Sequence, residues 1–201
     1  MSDTSDVLLA LPPAARPVRP RTQLVATALA VAGSAMLLGG LLAIYLHLRS
    51  AAGGTTASWL PAGVSIPGVP VNMALVTIVM TVITMQWAVY AIARNDRRNT
   101  YVALGLTLLL GVAFINNMAF VYQRLELPIA DSAYAVLVYA ITGTQLALFV
   151  AAMVYAGVAA FRALGGEYSS RQPEGLAAAA LFWHFTVVAF AVIWALVFAL
   201  K

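Results

Sequence analysis

Five long apolar segments constrain the fold of this chain more than any other feature. They cover residues 23–48, 71–93, 101–122, 132–161 and 176–200, and none of them contains Asp, Glu, Lys or Arg. An α-helix needs about 20 apolar residues to cross a hydrocarbon core about 30 Å thick. Each segment meets that requirement. The sequence therefore predicts an all-α polytopic membrane protein, built as a bundle of five transmembrane helices.

The composition leaves no room for a sizeable soluble domain. Charged residues make up 9% of the chain, against about 25% in an ordinary soluble domain. We expect one membrane domain at residues 23–201, preceded by a proline-rich stretch at residues 1–22 that buries too little apolar surface to fold alone. That stretch is predicted to be a disordered cytoplasmic tail. The chain contains no cysteine, so disulfides and thiolate metal sites are excluded.

Basic residues predict the orientation of the helices. One side of the predicted bundle, formed by the tail and the second and fourth loops, carries more of them than the other. Its members are Arg16, Arg19, Arg21, Arg94, Arg97, Arg98, Arg162 and Arg171. The opposite side carries Arg49, Arg124 and Lys201. The positive-inside rule then places the N-terminus in the cytoplasm and the C-terminus outside. Because these charges sit at helix ends rather than in a stripe, we expect no nucleic-acid partner.

Only one side chain deep inside the apolar segments can carry charge near neutral pH. That residue is His184, and the other histidine, His47, ends the first segment. At about 1.5 Å per residue the two lie roughly 24 Å apart in depth, so they cannot clamp one haem. Haem or metal ligation and proton shuttling remain alternatives for His184. We favour a neutral histidine bonded to a neighbouring helix or a lipid headgroup.

Four amides lie well inside the predicted membrane helices: Gln86, Asn116, Asn117 and Gln145. Amides in a bilayer commonly bond across helices, each contributing about 0.6–2 kcal/mol. We therefore interpret them as interhelical contacts. A pore lined by amides is the alternative, although such a pore would lack the charge or ordered carbonyls that discriminate between ions.

Small residues recur at a spacing of four in two of the segments. One row is Ala26, Ala30 and Ser34, and the other is Ala152, Ala156 and Ala160. Such rows allow helix backbones to approach closely. Alanine that is merely tolerated in an apolar helix explains either row equally well.

The sequence lacks the motifs of the main competing functions. A small polytopic transporter or channel would need charged or broken helices within the membrane, and an intramembrane lipid enzyme would need a nucleophile–base pair or a metal cluster. None of the common hydrolase, metalloprotease or nucleotide-binding fingerprints is present. The pattern favours helices that pack over helices that conduct or react.

An ordered series of short motifs runs through the second half of the chain. The series comprises Gly111-Val-Ala-Phe114, Tyr122, Ser132-Ala-Tyr134, Thr142-Gly143 and Trp183-His184-Phe185. It resembles subunit III of the haem-copper oxidases, typified by cytochrome c oxidase, over about half of the chain. No single motif is specific, and the order of the motifs carries the resemblance.

The resemblance implies a non-catalytic component of a respiratory oxidase complex. Such a subunit holds no haem or copper, packs on haem-bearing subunit I beside other oxidase subunits, holds phospholipid in a cleft, supports proton uptake and protects the enzyme against inactivation during turnover. The five-helix form resembles bacterial members, which implies the bacterial plasma membrane. No catalytic, cofactor or metal residue is then expected in this chain. The candidates for lipid or packing contacts are Trp183, His184, Asn116, Asn117 and Gln145.

The chain departs from the family pattern where the family carries buried carboxylates and a histidine pair. The corresponding positions here are Ser34 or Ala35, Val121, Gln145, Leu148 and Val187. The scaffold is retained while nearly all of its buried ionisable side chains are replaced. The loss of the carboxylates argues against a proton-uptake role.

Overall fold

Five long helices make up the described part of the chain. A computed structural model describes residues 21–54, 59–61, 64–125, 127, 132–170 and 172–199. The helices are α1 (Thr22–Ala51), α2 (Gly68–Ala93), α3 (Arg97–Leu125), α4 (Ala133–Leu164) and α5 (Glu174–Ile193), the last continuing as a π-helix over Trp194–Ala199. All five are long and apolar enough to span a membrane. The predicted five-helix class is confirmed, whereas the predicted tail lies outside the described residues except for Arg21 and Thr22.

Two of the helices begin with a polar side chain that pairs with a backbone N–H of the first turn. Asp96 precedes α3, and its Oδ1 accepts a hydrogen bond from the backbone N–H of Asn99 at 3.1 Å. Ser132 does the same for α4, with Oγ accepting from the N–H of Ala135 at 3.2 Å. Such caps satisfy donors that a helix start leaves unpaired. Ser132, predicted as the first residue of a spanning segment, is thus the N-cap of α4.

The fifth helix is the centre of the bundle. It packs against α1, α2 and α4, while α2 and α3 form a close pair and α3 also contacts α4. Helices joined by short loops are therefore neighbours, as expected from the loop lengths. The first connection is longer, and α1 packs on α4 and α5. This arrangement leaves much of α1 exposed.

One end of the bundle gathers the basic residues, and we call it the basic end. The turn between α2 and α3 meets the α4–α5 loop there through Asn95 and Ser170, with one bond of 2.9 Å and a second of 2.8 Å. Asn95 adopts a left-handed conformation with φ of 56°, which asparagine tolerates better than most residues. Arg21, Arg97 and Arg162 lie at this end, because α1 and α3 begin and α4 ends here.

Two hydrophobic clusters fill the interior. The larger one surrounds Trp183, Phe114, Phe149 and Phe190 and joins α2, α3, α4 and α5. The smaller one lies toward the opposite end and includes Tyr45, one of the buried residues through which α1 contacts the rest of the bundle. Phe114 stands edge to face with both Phe149 and Phe190, with ring centroids 4.7 and 4.9 Å apart. That geometry is the favoured one for aromatic pairs.

The two rows of small residues have different environments. Ala152 and Ala156 are buried, and they let α4 pack closely. Ala26 and Ala30 are exposed, and both line an open groove. Within the described part of this chain, the row in α1 therefore packs closely against no other helix, and close packing of that row on a partner subunit stays a prediction. The reason is that α1 turns a different face, marked by Leu38, toward α4 and α5.

Candidate functional site

Trp183 anchors the polar interior of the bundle. Its ring is fully buried, and its Nε1 donates a hydrogen bond to Thr81 Oγ1 of α2 at 2.8 Å. Its centroid lies 5.1 Å from that of Phe149 in α4. Gly111 of α3 makes room for it, because a Cβ at this glycine would come within 3.1 Å of the ring and would overlap Met153 Sδ. Four helices thus meet at one side chain.

A chain of threonine hydroxyls continues from Trp183 into α2 and α3. Thr84 Oγ1 donates a hydrogen bond to the carbonyl oxygen of Thr81 at 3.2 Å. In turn, Thr107 Oγ1 of α3 donates a hydrogen bond to Thr84 Oγ1 at 2.8 Å. All three threonines are buried. Bonds of this kind hold helices together where no water is available to pair with polar groups.

The sequence did not single out these threonines. A threonine in an apolar helix commonly bonds the carbonyl three or four residues before it, so its presence does not indicate an interhelical contact. Thr81 also makes such a bond, to Ile78 O, and the single proton of the Thr107 hydroxyl is shared between Thr84 Oγ1 and Ala103 O. What distinguishes these threonines is that they lie on the faces of α2 and α3 that pack together. A uniformly apolar sequence does not reveal those faces.

Gln145 ties α4 to α5. Its amide is buried, and Nε2 donates to the carbonyl of Thr186 at 2.6 Å, while Oε1 has no partner among the described residues. Nearby, the hydroxyl of Tyr122 in α3 donates to Thr142 Oγ1 in α4 at 2.9 Å. These contacts are uncharged, so this part of the interior is suited to holding helices in register.

The remaining candidates lie apart from this network. His184 is half-buried, and its Nδ1 lies 2.5 Å from the carbonyl oxygen of Ala180 in its own helix rather than on a neighbouring helix. A bond to a lipid headgroup, the other expectation for His184, stays a prediction. Asn117 Nδ2 donates to Pro70 O of α2 at 3.2 Å. Asn116 is exposed and makes no hydrogen bond with any residue that the structure describes. The five candidates therefore do not form one site.

No metal-binding cluster is present in the described part of the chain, since no three His, Asp or Glu side chains converge there. His47 lies near the end of α1 opposite the basic end, and His184 lies within the first half of α5 beyond the basic end. At about 1.5 Å per residue the two rings are too far apart along the bundle axis to ligate one haem. The histidines do not fit a haem site.

A polar pocket of about 660 Å³ opens at the basic end. Glu174 Oε1 accepts from the backbone N–H groups of Gln23 and Leu24, at 3.0 and 3.3 Å, so α5 caps the start of α1. Arg162 forms an ion pair with Glu167 at 2.6 Å. A negative side chain at a helix start is stabilised by the helix dipole. The pocket thus carries both signs of charge.

Tyr168 lies under the rim of the polar pocket. The guanidinium of Arg162 sits 5.7 Å from the centre of its ring, within the range of a cation–π contact. Burial raises the pKa of the Tyr168 hydroxyl above its ordinary value, and the positive charge of Arg162 only partly opposes that rise. The hydroxyl therefore stays protonated, and it can donate a hydrogen bond to an oxygen atom in the pocket.

An apolar groove of about 420 Å³ adjoins the pocket. It runs between α1, α4 and α5, and its walls include Ala26, Ala30, Ala151 and Phe182. Gln23 lines both the pocket and the groove. The polar pocket and the apolar groove therefore form one continuous surface that is charged at one end and apolar at the other.

Comparison with known proteins decides the family. The family described as cytochrome c oxidase subunit III matches residues 24–200, which is nearly the whole chain. The chain belongs to the cytochrome c oxidase subunit III family. The resemblance seen in the ordered motifs is thereby confirmed, and it extends to α1 and α2.

Individual members of the cytochrome c oxidase subunit III family are moderately similar. The protein named cytochrome c oxidase subunit 3 from Strongylocentrotus purpuratus is 29% identical over 147 residues, covering 70% of this chain and 55% of the relative. A probable cytochrome c oxidase subunit 3 from Rickettsia conorii is 31% identical over 107 residues, covering 52% and 38%. That from Thermostichus vulcanus is 25% identical over 166 residues, covering 82% and 79%. The chain spans about half the length, or less, of the first two.

Proposed function

We propose that this chain is a non-catalytic subunit III of a respiratory haem-copper oxidase. The family match over residues 24–200 carries the proposal. The bundle interior supports it in two ways. Trp183 and Gln145 make hydrogen bonds to other helices of the bundle, and the described residues include no cluster of side chains that could ligate a metal. Haem and copper then belong to other subunits of the oxidase. No observation favours a transporter or channel.

The exposed surface of α1 supports packing on a larger subunit. Gly33, Gly39 and Gly40 each have open space where a Cβ would lie. Glycines on a membrane helix let a second helix approach closely. The exposed amide of Asn116 on α3 also requires a partner in an apolar bilayer. We propose that α1 faces the haem-bearing subunit I and that a neighbouring subunit satisfies Asn116.

Deletion of the gene for this chain tests the proposed role. We expect membranes of the deletion strain to retain the visible haem spectrum of the oxidase, because the chain contributes no haem ligand. The initial oxidase rate should persist, and activity should then decay faster during turnover than in the parent strain. Loss of the haem spectrum beyond the loss of the oxidase protein itself would assign the chain a cofactor-binding role instead.

A phospholipid is proposed for the polar pocket and the groove that adjoins it. The headgroup would lie beside Arg21, Arg162 and Tyr168, which offer a charge or a donor to phosphate oxygens. An acyl chain would lie in the apolar groove beside Ala26 and Ala30. The continuity of the two cavities through Gln23 supports one amphiphilic ligand over two separate ones.

Filling the groove should displace this lipid. We expect Ala30→Phe to lower the amount of phospholipid that copurifies with the chain, measured by mass spectrometry of extracted lipid. Ala28→Phe is the matched control, because Ala28 is exposed on another face of α1 and does not line the groove. Equal lipid content in the two variants would count against lipid binding in this groove.

The orientation of the bundle is proposed from its charges. Arg21, Arg94, Arg97, Arg98 and Arg162 lie at the basic end, which supports placing that end in the bacterial cytoplasm. The chain has no cysteine, so single introduced cysteines are unique labelling sites.

Cysteine labelling of intact cells tests this orientation. Ser50→Cys, at the opposite end, should react with a membrane-impermeant thiol reagent added outside, whereas Ser169→Cys in the α4–α5 loop should react only after the membrane is opened. Reaction of Ser169→Cys alone in intact cells would reverse the topology.

A further inference from the structure

Three aromatic rings pack against one another toward the end opposite the basic end, and we call this cluster the aromatic box. They belong to Tyr45 of α1, Trp59 of the first connecting segment and Tyr134 of α4. The ring centroids are 5.8 Å apart for Tyr45 and Trp59 and 6.0 Å apart for Trp59 and Tyr134, with the planes nearly perpendicular. The two tyrosines are only 1% and 2% exposed. The two tyrosine rings are therefore shielded from solvent and lipid, whereas Trp59 is half-buried.

Two polar atoms in this box lack the hydrogen bonds that buried groups require. Tyr134 Oη and Trp59 Nε1 are both buried, and neither makes a hydrogen bond of full geometry with the described residues, although Trp59 Nε1 has a weaker contact with the Tyr45 hydroxyl. Most buried polar groups in proteins are paired, so an orphan pair at one place points to an unobserved partner. Tryptophan N–H can only donate, whereas a tyrosine hydroxyl donates and accepts. A molecule bound between the two atoms would therefore accept from Trp59 and could donate to or accept from Tyr134.

A small cavity lies between these side chains. It is lined by the three aromatic residues together with Arg49, Leu60, Ile66 and Val197, and it leaves about 10 Å³ for the centre of a bound molecule. A single water needs about 10–15 Å³ by this measure. The space is too small for a larger ligand.

We propose that one water molecule is held in this box. It accepts a hydrogen bond from Trp59 Nε1 and bonds the hydroxyl of Tyr134, which joins the first connecting segment to α4. The guanidinium of Arg49, 8% exposed, lies in the same wall and donates to Leu196 O of the π-helix at 3.4 Å. The water therefore lies where α1, α4, the π-helix at the end of α5 and the connecting segment meet, and it adds hydrogen bonds between them.

Radiolytic hydroxyl-radical labelling tests this site in the purified complex. Brief X-ray exposure generates radicals from bound water, which oxidise the aromatic residues beside it. We expect Tyr134, which is 2% exposed, to be oxidised several-fold faster than the equally buried Trp183. Trp183 is the matched control, because its ring is fully buried and its Nε1 is bonded to Thr81. Oxidation at the rate of Trp183 would show a dry box.

A pair of variants separates a water bonded to Tyr134 from leakage of solvent. Tyr134→Phe should slow oxidation of Trp59 several-fold. Tyr139→Phe, on the same helix but bonded to Leu127 O outside the box, should leave it unchanged. Equal effects of the two variants would also contradict the proposal.

Discussion

Replacing Trp183 by alanine is expected to destabilise the bundle more than any other single truncation. The ring is fully buried where four helices meet, and its removal leaves a cavity and also deprives Thr81 Oγ1 of a donor. Truncation of a buried tryptophan costs about 3–5 kcal/mol. The unfolding free energy of the detergent-solubilised chain, followed by circular dichroism, should fall by about that amount.

Two variants show whether the position of Trp183 causes this effect. Trp183→Phe keeps most of the ring but loses the bond to Thr81, which is expected to cost about 1 kcal/mol. Trp87→Ala removes a tryptophan that is 40% exposed on the outer face of α2, so its effect should be much smaller. Equal destabilisation by Trp87→Ala and Trp183→Ala would mean that Trp183 is not the anchor.

Gly111→Ala is expected to destabilise the protein although alanine is the better helix former. The added Cβ would overlap Met153 Sδ and crowd the ring of Trp183. Overpacking of a close-packed core costs about 1–3 kcal/mol, which exceeds the gain of about 1 kcal/mol that alanine offers over glycine in a helix. The midpoint of thermal unfolding should fall accordingly.

A second glycine of α3 provides the control. Gly105 has no atom within 4 Å of the position of its would-be Cβ. Gly105→Ala should therefore leave the stability unchanged or raise it slightly. Adding Met153→Ala to Gly111→Ala should restore part of the lost stability, because it removes the overlapping sulfur. A rise in stability with Gly111→Ala alone would disprove the proposed crowding.

The five helices could be predicted from the sequence because each apolar run is long enough to span a bilayer. The helix ends could not, since residues such as Arg97 and Asn99 extend a helix beyond the membrane once Asp96 caps it. The length of an apolar segment indicates which residues can lie within the bilayer. It does not indicate where the helix begins or ends.

The interior face of each helix was harder to predict. Lipid tails are as apolar as the protein core, so a membrane helix needs no polar stripe to mark its outer side. Asn116 and Asn117 are adjacent in sequence, yet Asn117 bonds Pro70 and Asn116 is exposed. Only the packing of α2 on α3 separates them. The contact between Trp183 and Thr81 was missed for the same reason.

The family could be recognised from the order of the motifs, and the roles of individual residues could not. Trp183 and His184 are neighbours in one motif, but the structure gives Trp183 an interhelical bond and His184 a bond to its own helix. The sequence shows which residue types recur together, whereas their contacts depend on which way each side chain faces.

Purification through an affinity tag on this chain tests most directly whether it is a haem-free subunit of an oxidase. In mild detergent, we expect the tagged chain to bring down a larger haem-bearing membrane subunit, visible as a Soret band. After dissociation, that band should stay with the larger subunit, and the isolated chain should show none. A stoichiometric Soret band on the isolated chain, or purification from respiring cells without any haem protein, would contradict the proposed function.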